Sequence, residues 1–467
     1  MNSVSLASSK PNNMESRSNH QPQSIALLHC YDLIDDFLDS INISFETFCK
    51  EFVGSWMFGY IDALKQVGTR TVLFCISARV EKTSRFIHEP TGATICVLPA
   101  PRVYYAYRAL RHNSLKMYGA SESQSFKDVR DNNTLRRSLL TPIKDLAKSF
   151  GTYLSTPLSS LASELRRENC QAILCQEYEY ARFDSCVLLG KLINLPVFTT
   201  FQGGDRTQSL LEILPRQLAF RGCTGVIVPT QTEIERIKSR YGISSSKIAR
   251  IFNPVDTETW QKRDRPQARA ALDIPLTARV VAWHGRVEIE RKGLDVLLSA
   301  WQQICNERLD KDLRLLLVGT GSDSDRFGQR IRDMQLKGVH WLNEFVSDRA
   351  VIQQYLSAAD VYTLPSRQEG FPVAPLEAMC CGLPVVAADA PGIPDILSEG
   401  EATVGAIVPR GNVSALASAL GRVLDDEAWS RELGQNARDR AESCFSPKAI
   451  GKQLHDAFFN QSLQKKR

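Results

Sequence analysis

Two doubly wound α/β domains facing an interdomain cleft are the fold this sequence predicts. The chain has 467 residues, more than one hydrophobic core ordinarily supports. Short apolar runs of strand length alternate with amphipathic stretches in both halves, the pattern of parallel strands joined by crossover helices. The halves join near Ile251-Phe252-Asn253-Pro254-Val255-Asp256, after a strand-like Lys247–Ile251, because Pro254 biases Asn253 away from helix. Side by side, two such domains leave a cleft between their strand ends, a favoured place for ligands.

In chain order, residues 1–23 are polar and rich in Ser, Asn and Gln. They lack the apolar stretch of a secretory leader, and a disordered tail is expected. Residues 24–250 are the expected first domain, with strands at Ile25–His29, Thr71–Ile76, Ala172–Cys175, Val197–Thr200 and Gly225–Val228. Residues 102–150 interrupt it. From Arg102 to Lys148 there are ten Lys and Arg against four acids, interleaved with Tyr104, Tyr105, Tyr107, Leu110, Leu115 and Met117. Two readings of this insertion stay open. It is a basic amphipathic surface for anionic lipid or an acidic acceptor, or a solvated helical insertion packed on the first domain.

Residues 251–445 are the expected second domain. Its strands are expected at Arg279–Trp283, Leu313–Val318, Val339–Leu342, Val361–Leu364, Pro384–Ala388 and Gly405–Val408. Residues 446–467 are expected to form a C-terminal helix crossing back to the first domain.

Composition narrows the function classes. A net charge of +5 on this length is too mild for a nucleic-acid binder. No apolar run reaches the length of a spanning helix. Twelve cysteines include no C-x-x-C pair, which argues against a zinc site or disulfide framework. Cys30, Cys75, Cys96 and Cys175 lie in apolar runs, where cysteine behaves as a small hydrophobe. A reducing, cytoplasmic compartment is expected, with peripheral contact to the inner face of a membrane under the lipid-docking reading of the insertion.

The most informative stretch is Glu369-Gly370-Phe371-Pro372-Val373-Ala374-Pro375-Leu376-Glu377. Unpaired carboxylates are costly away from water, so a buried element would not carry both. The following Ala378–Ala388 reads as a short helix, a Gly stop and a buried strand. The pair therefore falls on a loop and a helix start beside strand ends, where open α/β sheets bind ligands.

Further motifs extend this. Gly285-Arg286, Lys292-Gly293-Leu294-Asp295, Leu317-Val318-Gly319-Thr320-Gly321, Pro365-Ser366-Arg367-Gln368-Glu369-Gly370-Phe371, Leu376-Glu377-Ala378-Met379 and Gly392-Ile393-Pro394 follow in order. In that order and spacing they resemble the family-4 glycosyltransferases, retaining enzymes of the GT-B fold. Asn253-Pro254-Val255-Asp256 resembles the family's entry into its donor domain. In the first half, Ser44-Phe45-Glu46-Thr47-Phe48 and Thr200-Phe201-Gln202-Gly203-Gly204-Asp205 look like acceptor-side loops.

The resemblance implies transfer of a hexosyl group from a UDP- or GDP-sugar to an acceptor hydroxyl. The setting would be glycan, polysaccharide or glycolipid biosynthesis. Arg286 and Lys292 would offset charge on the departing diphosphate, and Glu369 would hold hydroxyls of the transferred sugar. Glu377 would chelate the ribose diol, Gly370, Phe371 and Val373 would offer backbone amides, and Phe345 and Val346 would meet the base. No cofactor and no metal are expected. Asp323-Ser324-Asp325 is expected to be a solvated loop rather than a metal-binding D-x-D.

Gln202, with Gly203 and Asp205, would face the acceptor. Many relatives place a histidine at the position of Gln202, and glutamine cannot titrate. Either positioning and the leaving phosphate suffice, or activity is lost. Two other readings therefore stay open: a non-catalytic nucleotide-sugar or glycan binder, and a sugar-nucleotide epimerase sharing the fold. Glu177, Glu179, Arg182 and Asp184 are read either as acceptor contacts or as caps of the following helix.

Overall fold

The computed structural model describes residues 22–30, 32–39, 43–52, 56–104, 108, 151–201, 208–346, 348–397 and 401–460. Nearly all of the expected tail, most of the 102–150 insertion and the Gln202–Asp205 loop lie outside these residues.

The first sheet has eight strands: β1 (Ser24–Leu28), β2 (Arg70–Ser77), β3 (Ser84–His88), β4 (Ala93–Pro99), β5 (Ala172–Cys175), β6 (Val197–Thr200), β7 (Gly225–Val228) and β8 (Ile248–Arg250). Their spatial order is β3-β4-β2-β1-β5-β6-β7-β8. All pairs are parallel except β3 with β4. β1 sits between β2 and β5, with Ile25 opposite both Thr71 and Ala172. Every residue of β1 is buried, because helices cover both faces of a parallel sheet and leave no polar side.

The hairpin of β3 and β4 was not among the expected strands. β3 is an edge strand whose Phe86 and Ile87 are exposed, so no buried alternation marks it. At its end His88 is buried, stacked 3.9 Å from the Phe58 ring. Its Nε2 lies 2.9 Å from the Phe52 carbonyl and its Nδ1 2.8 Å from Thr91 Oγ1. Burial holds its pKa below the ordinary histidine value, against the opposing Phe52 contact.

A depressed histidine binds its proton less readily folded than unfolded. Its stabilising contribution is therefore complete above the unfolded value, about 6.5, and is lost as pH falls from there through the folded value. Denaturant midpoints of the full chain are expected to fall as pH drops below about 6.5. In His88→Gln part of that slope should vanish; an unchanged slope would remove His88 as the source.

The second sheet is entirely parallel: β9 (Arg279–His284), β10 (Leu313–Val318), β11 (Val339–Leu342), β12 (Val361–Leu364), β13 (Val385–Ala388) and β14 (Gly405–Val408). Its order is β11-β10-β9-β12-β13-β14. The winding reverses between β9 and β12, and such a reversal opens a crevice beyond the strand C-termini. Trp283 and Trp301 are fully buried in this domain's core.

The two sheets present their C-terminal ends to one another. Asp395, after β13, accepts from the Gln231 amide at 2.9 Å and from Arg250 Nη2 at 2.7 Å; both donors lie at that end of the first sheet. The chain then returns. The helix Pro447–Phe459 lies against the helix Trp56–Gln66 and buries Ile450, Leu454, Ala457 and Phe458 in the first domain's core. Phe458 meets Phe198 of β6 at 5.0 Å. The crossing requires Gly451, since a Cβ there would stand 2.0 Å from the Ala63 carbonyl oxygen.

All twelve cysteines are free, ten of them buried. Among the described residues no helix is long and apolar enough to cross a membrane.

Candidate active site

The crevice between β9 and β12 is built from the two loops that leave those strands. After β9 the chain passes Gly285 and Arg286 and makes one helical turn, Ile289–Lys292. That turn lacks a side-chain cap of its own. Asp323 supplies one from a distance, its Oδ2 accepting from the Ile289 amide at 2.8 Å. This corrects the expectation of a solvated loop: Asp323 is committed to a backbone N–H and starts the helix Ser324–Asp333, while Asp325 points to solvent.

The second loop is joined to the first. The Arg367 amide donates to the Arg291 carbonyl at 2.9 Å. Its guanidinium grips Asp295 with two bonds of 2.8 and 2.7 Å and reaches the Glu290 carbonyl at 2.8 Å. Such a planar fork fixes orientation as well as distance. Gly293 allows the close approach: it has φ +62, and a Cβ there would stand 2.0 Å from the Pro365 carbonyl oxygen.

Two carboxylates then face the crevice, each held by a nitrogen. Lys292 Nζ lies 2.7 Å from Glu369 Oε1, their side chains 17% and 6% exposed. His284 Nε2 lies 2.8 Å from Glu377 Oε2. Tyr362 donates to the His284 carbonyl at 3.3 Å. Burial, with Glu377 and Glu369 nearby, pushes its phenol well above the usual range, so it remains a donor. The helix Ala374–Cys380 carries Glu377 in its first turn.

The sequence-predicted residues divide into groups. Lys292, Glu369 and Glu377 converge at the crevice. Arg286 stands at its mouth, 71% exposed, with Glu288 3.5 Å away. Gly370 and Val373 flank the carboxylates along the same loop. The Phe371 side chain instead turns into the core, stacking on Phe252 at 5.4 Å; only its backbone faces the loop's path. Phe345 and Val346 follow β11, two strands from β9, and Phe345 is 85% exposed. Gln202, Gly203 and Asp205 fall outside the described residues.

His284 was missed: a lone histidine ending a strand says nothing until Glu377, 93 positions later, is beside it. The corresponding reversal in the first sheet, between β1 and β5, was missed in part. Asp32 there receives Arg182 at 2.9 Å, Arg108 at 2.9 Å and Tyr104 at 2.8 Å. Arg182 also donates to the His29 carbonyl at 2.8 Å. Glu179 pairs with Arg236 at 2.8 Å, and Asp184 holds the buried Arg216 at 2.6 Å and Tyr153 at 2.7 Å. The helix Ala181–Ile193 begins at Tyr180 without a side-chain cap, so Arg182, Glu179 and Asp184 bind one wall together rather than cap it.

Two Rossmann-like domains facing a crevice define the GT-B fold, and comparison with known proteins identifies the chain as a glycosyltransferase. Residues 278–426 match the family model described as glycosyl transferases group 1, and residues 124–259 the one described as Glycosyltransferase Family 4. The D-inositol 3-phosphate glycosyltransferase of Corynebacterium glutamicum is 30% identical over 344 residues, 69% of this chain and 81% of that protein. The enzyme of the same name from Kineococcus radiotolerans is 28% identical over 51% of this chain and 58% of its own length. Among solved structures, Anabaena HepE in complex with UDP superposes with TM-score 0.64 at 17% identity, covering 93% of this chain and 99% of that one. Sucrose-phosphate synthase from Thermosynechococcus elongatus gives 0.61 at 19% identity, covering 93% and 98%. The chain belongs to the family-4 glycosyltransferases.

Proposed function

We propose that this enzyme transfers a hexosyl group, with retention of anomeric configuration, from a nucleotide diphosphate sugar to an acceptor hydroxyl. The observation that carries the reading is the pairing of Lys292 with Glu369 and of His284 with Glu377 at one strand reversal.

Each group has a task in that reaction. The bond between the anomeric carbon and the phosphate oxygen breaks, and its electron pair stays on the diphosphate. Lys292 and Arg286 offset that growing charge, a term often the largest in such catalysis. Glu369 orients hydroxyls of the transferred sugar and holds the Lys292 ammonium in place. Glu377 accepts from the ribose hydroxyls, with His284 keeping its other oxygen turned inward. The acceptor oxygen bonds to the anomeric carbon, and its proton passes to the leaving phosphate. This route needs no general base at Gln202 and no metal ion, so chelation should leave turnover unchanged.

The acceptor is proposed to be a polyol or glycan hydroxyl in glycan or glycolipid synthesis. Support comes from the inositol phosphate glycosyltransferases that this chain resembles. A screen of UDP- and GDP-hexoses against inositol 3-phosphate and simple glycosides, read by nucleotide release, tests the reading. Turnover with one donor in the presence of EDTA is expected. Tight nucleotide binding with no release for any pair would sink it in favour of a non-catalytic binder.

A further inference from the structure

The second sheet has a further cavity at the end opposite the crevice. It lies by the N-terminal ends of β9, β12 and β13, with a volume of about 510 Å³. Arg279 opens β9 and lines it, whereas His284 closes β9 on the crevice side. Five residue steps at about 3.3 Å each put roughly 16 Å between the two. The cavity is thus separate from the site of transfer.

Its lining is cationic. Lys262, Arg265, Arg279, Arg431 and Arg438 line it with Asp360 and Glu427, and Arg438 is already paired with Glu442. The two carboxylates are already shared. Asp360 takes Arg265 and also Arg269 at 3.0 Å. Glu427 takes Arg279 at 3.2 Å and lies 3.8 Å from Arg431. Among the described residues Lys262 has no hydrogen-bond or ion-pair partner. Burial, together with Arg265 and Arg431, holds its ammonium below the ordinary lysine range. One wall, from Leu383 and Pro384, is apolar. A volume of this size suits a small molecule, and an apolar wall with a few placed charges is the usual make-up of such sites.

We propose that this cavity is a second ligand site, taking a small organic phosphate with at least two negative charges. The phosphate sits among Lys262, Arg431 and Arg279, and the organic body lies on Leu383 and Pro384. The back of the site is the C-terminal end of the Glu377 helix. There Arg438 Nη1 donates to the Cys380 carbonyl at 2.6 Å and Nη2 to the Thr257 carbonyl at 2.9 Å.

The test is calorimetry on the full chain with glucose 6-phosphate, pyrophosphate and glucose as probes. Glucose 6-phosphate is expected to bind saturably and glucose not at all. In Lys262→Gln/Arg431→Gln affinity should fall at least about 10-fold, the effect of losing even one of the two charged contacts. The same variant should bind UDP or GDP as the wild type does. In Arg286→Ala glucose 6-phosphate binding should persist. Loss of that binding in Arg286→Ala, its persistence in the double variant, binding of pyrophosphate alone, or no saturable phosphate binding would each overturn the proposal. None of these readouts depends on glycosyl transfer.

Discussion

Lys292→Ala is expected to lower kcat by about 10²- to 10³-fold, the cost typical of removing one preorganised group that stabilises charge in a transition state. Donor KM should move much less, because the diphosphate gains most of its extra charge only as the sugar departs. The same change also leaves Glu369 buried without its cation, and breaking one side of a buried pair costs about 3–5 kcal/mol. The two effects separate in the double variant Lys292→Met/Glu369→Met. Removing both charges should return the melting temperature toward wild type while turnover stays lost. Wild-type kcat in Lys292→Ala would remove the lysine from the chemistry. A double variant that regains activity would mean that the pair only supports the loops.

Glu377→Ala should act on the other parameter. A hydrogen bond to a charged group contributes about 1.5–3 kcal/mol, so donor KM should rise about 10- to 100-fold. The sharper measurement is a cycle with a donor lacking the ribose 2′-hydroxyl. The wild type should discriminate against that donor, and Glu377→Ala should not. If the discrimination is equal in both proteins, Glu377 does not hold the ribose. The variant also releases His284, whose ring would have to find a new partner or water. Glu377→Gln keeps the shape of the contact and should fall between.

The strands of the second domain were legible because each is a short apolar run closed by a glycine, proline or polar turn. Leu313–Val318, Val339–Leu342 and Gly405–Val408 appear with the expected limits. β3 was not, since Ser84–His88 leaves two large apolar residues facing outward at a sheet edge. The Lys292, Glu369 and Glu377 set was legible because all three fall within the motifs that carry the family resemblance. Its partners were harder. His284 meets Glu377 across 93 positions and Arg182 meets Asp32 across 150. Nothing local marks either pair; only the strand order brings β9 beside β12 and β1 beside β5. The D-x-D loop misled for a related reason: the amide that Asp323 caps belongs to a turn 34 positions earlier.

The returning helix has a consequence for the order in which the molecule is made. The first domain's last strand ends at Arg250, yet part of its core is Ile450, Leu454 and Phe458. On a ribosome adding about 5–20 residues per second, roughly 200 residues separate the two, a delay on the order of ten to forty seconds. Throughout that interval the nascent first half carries an uncovered apolar groove beside Phe198 and the helix Trp56–Gln66. Its final closure and the second domain's completion become a single late event. A chain halted before Pro447 should therefore emerge as a client for chaperones rather than as a finished half-molecule.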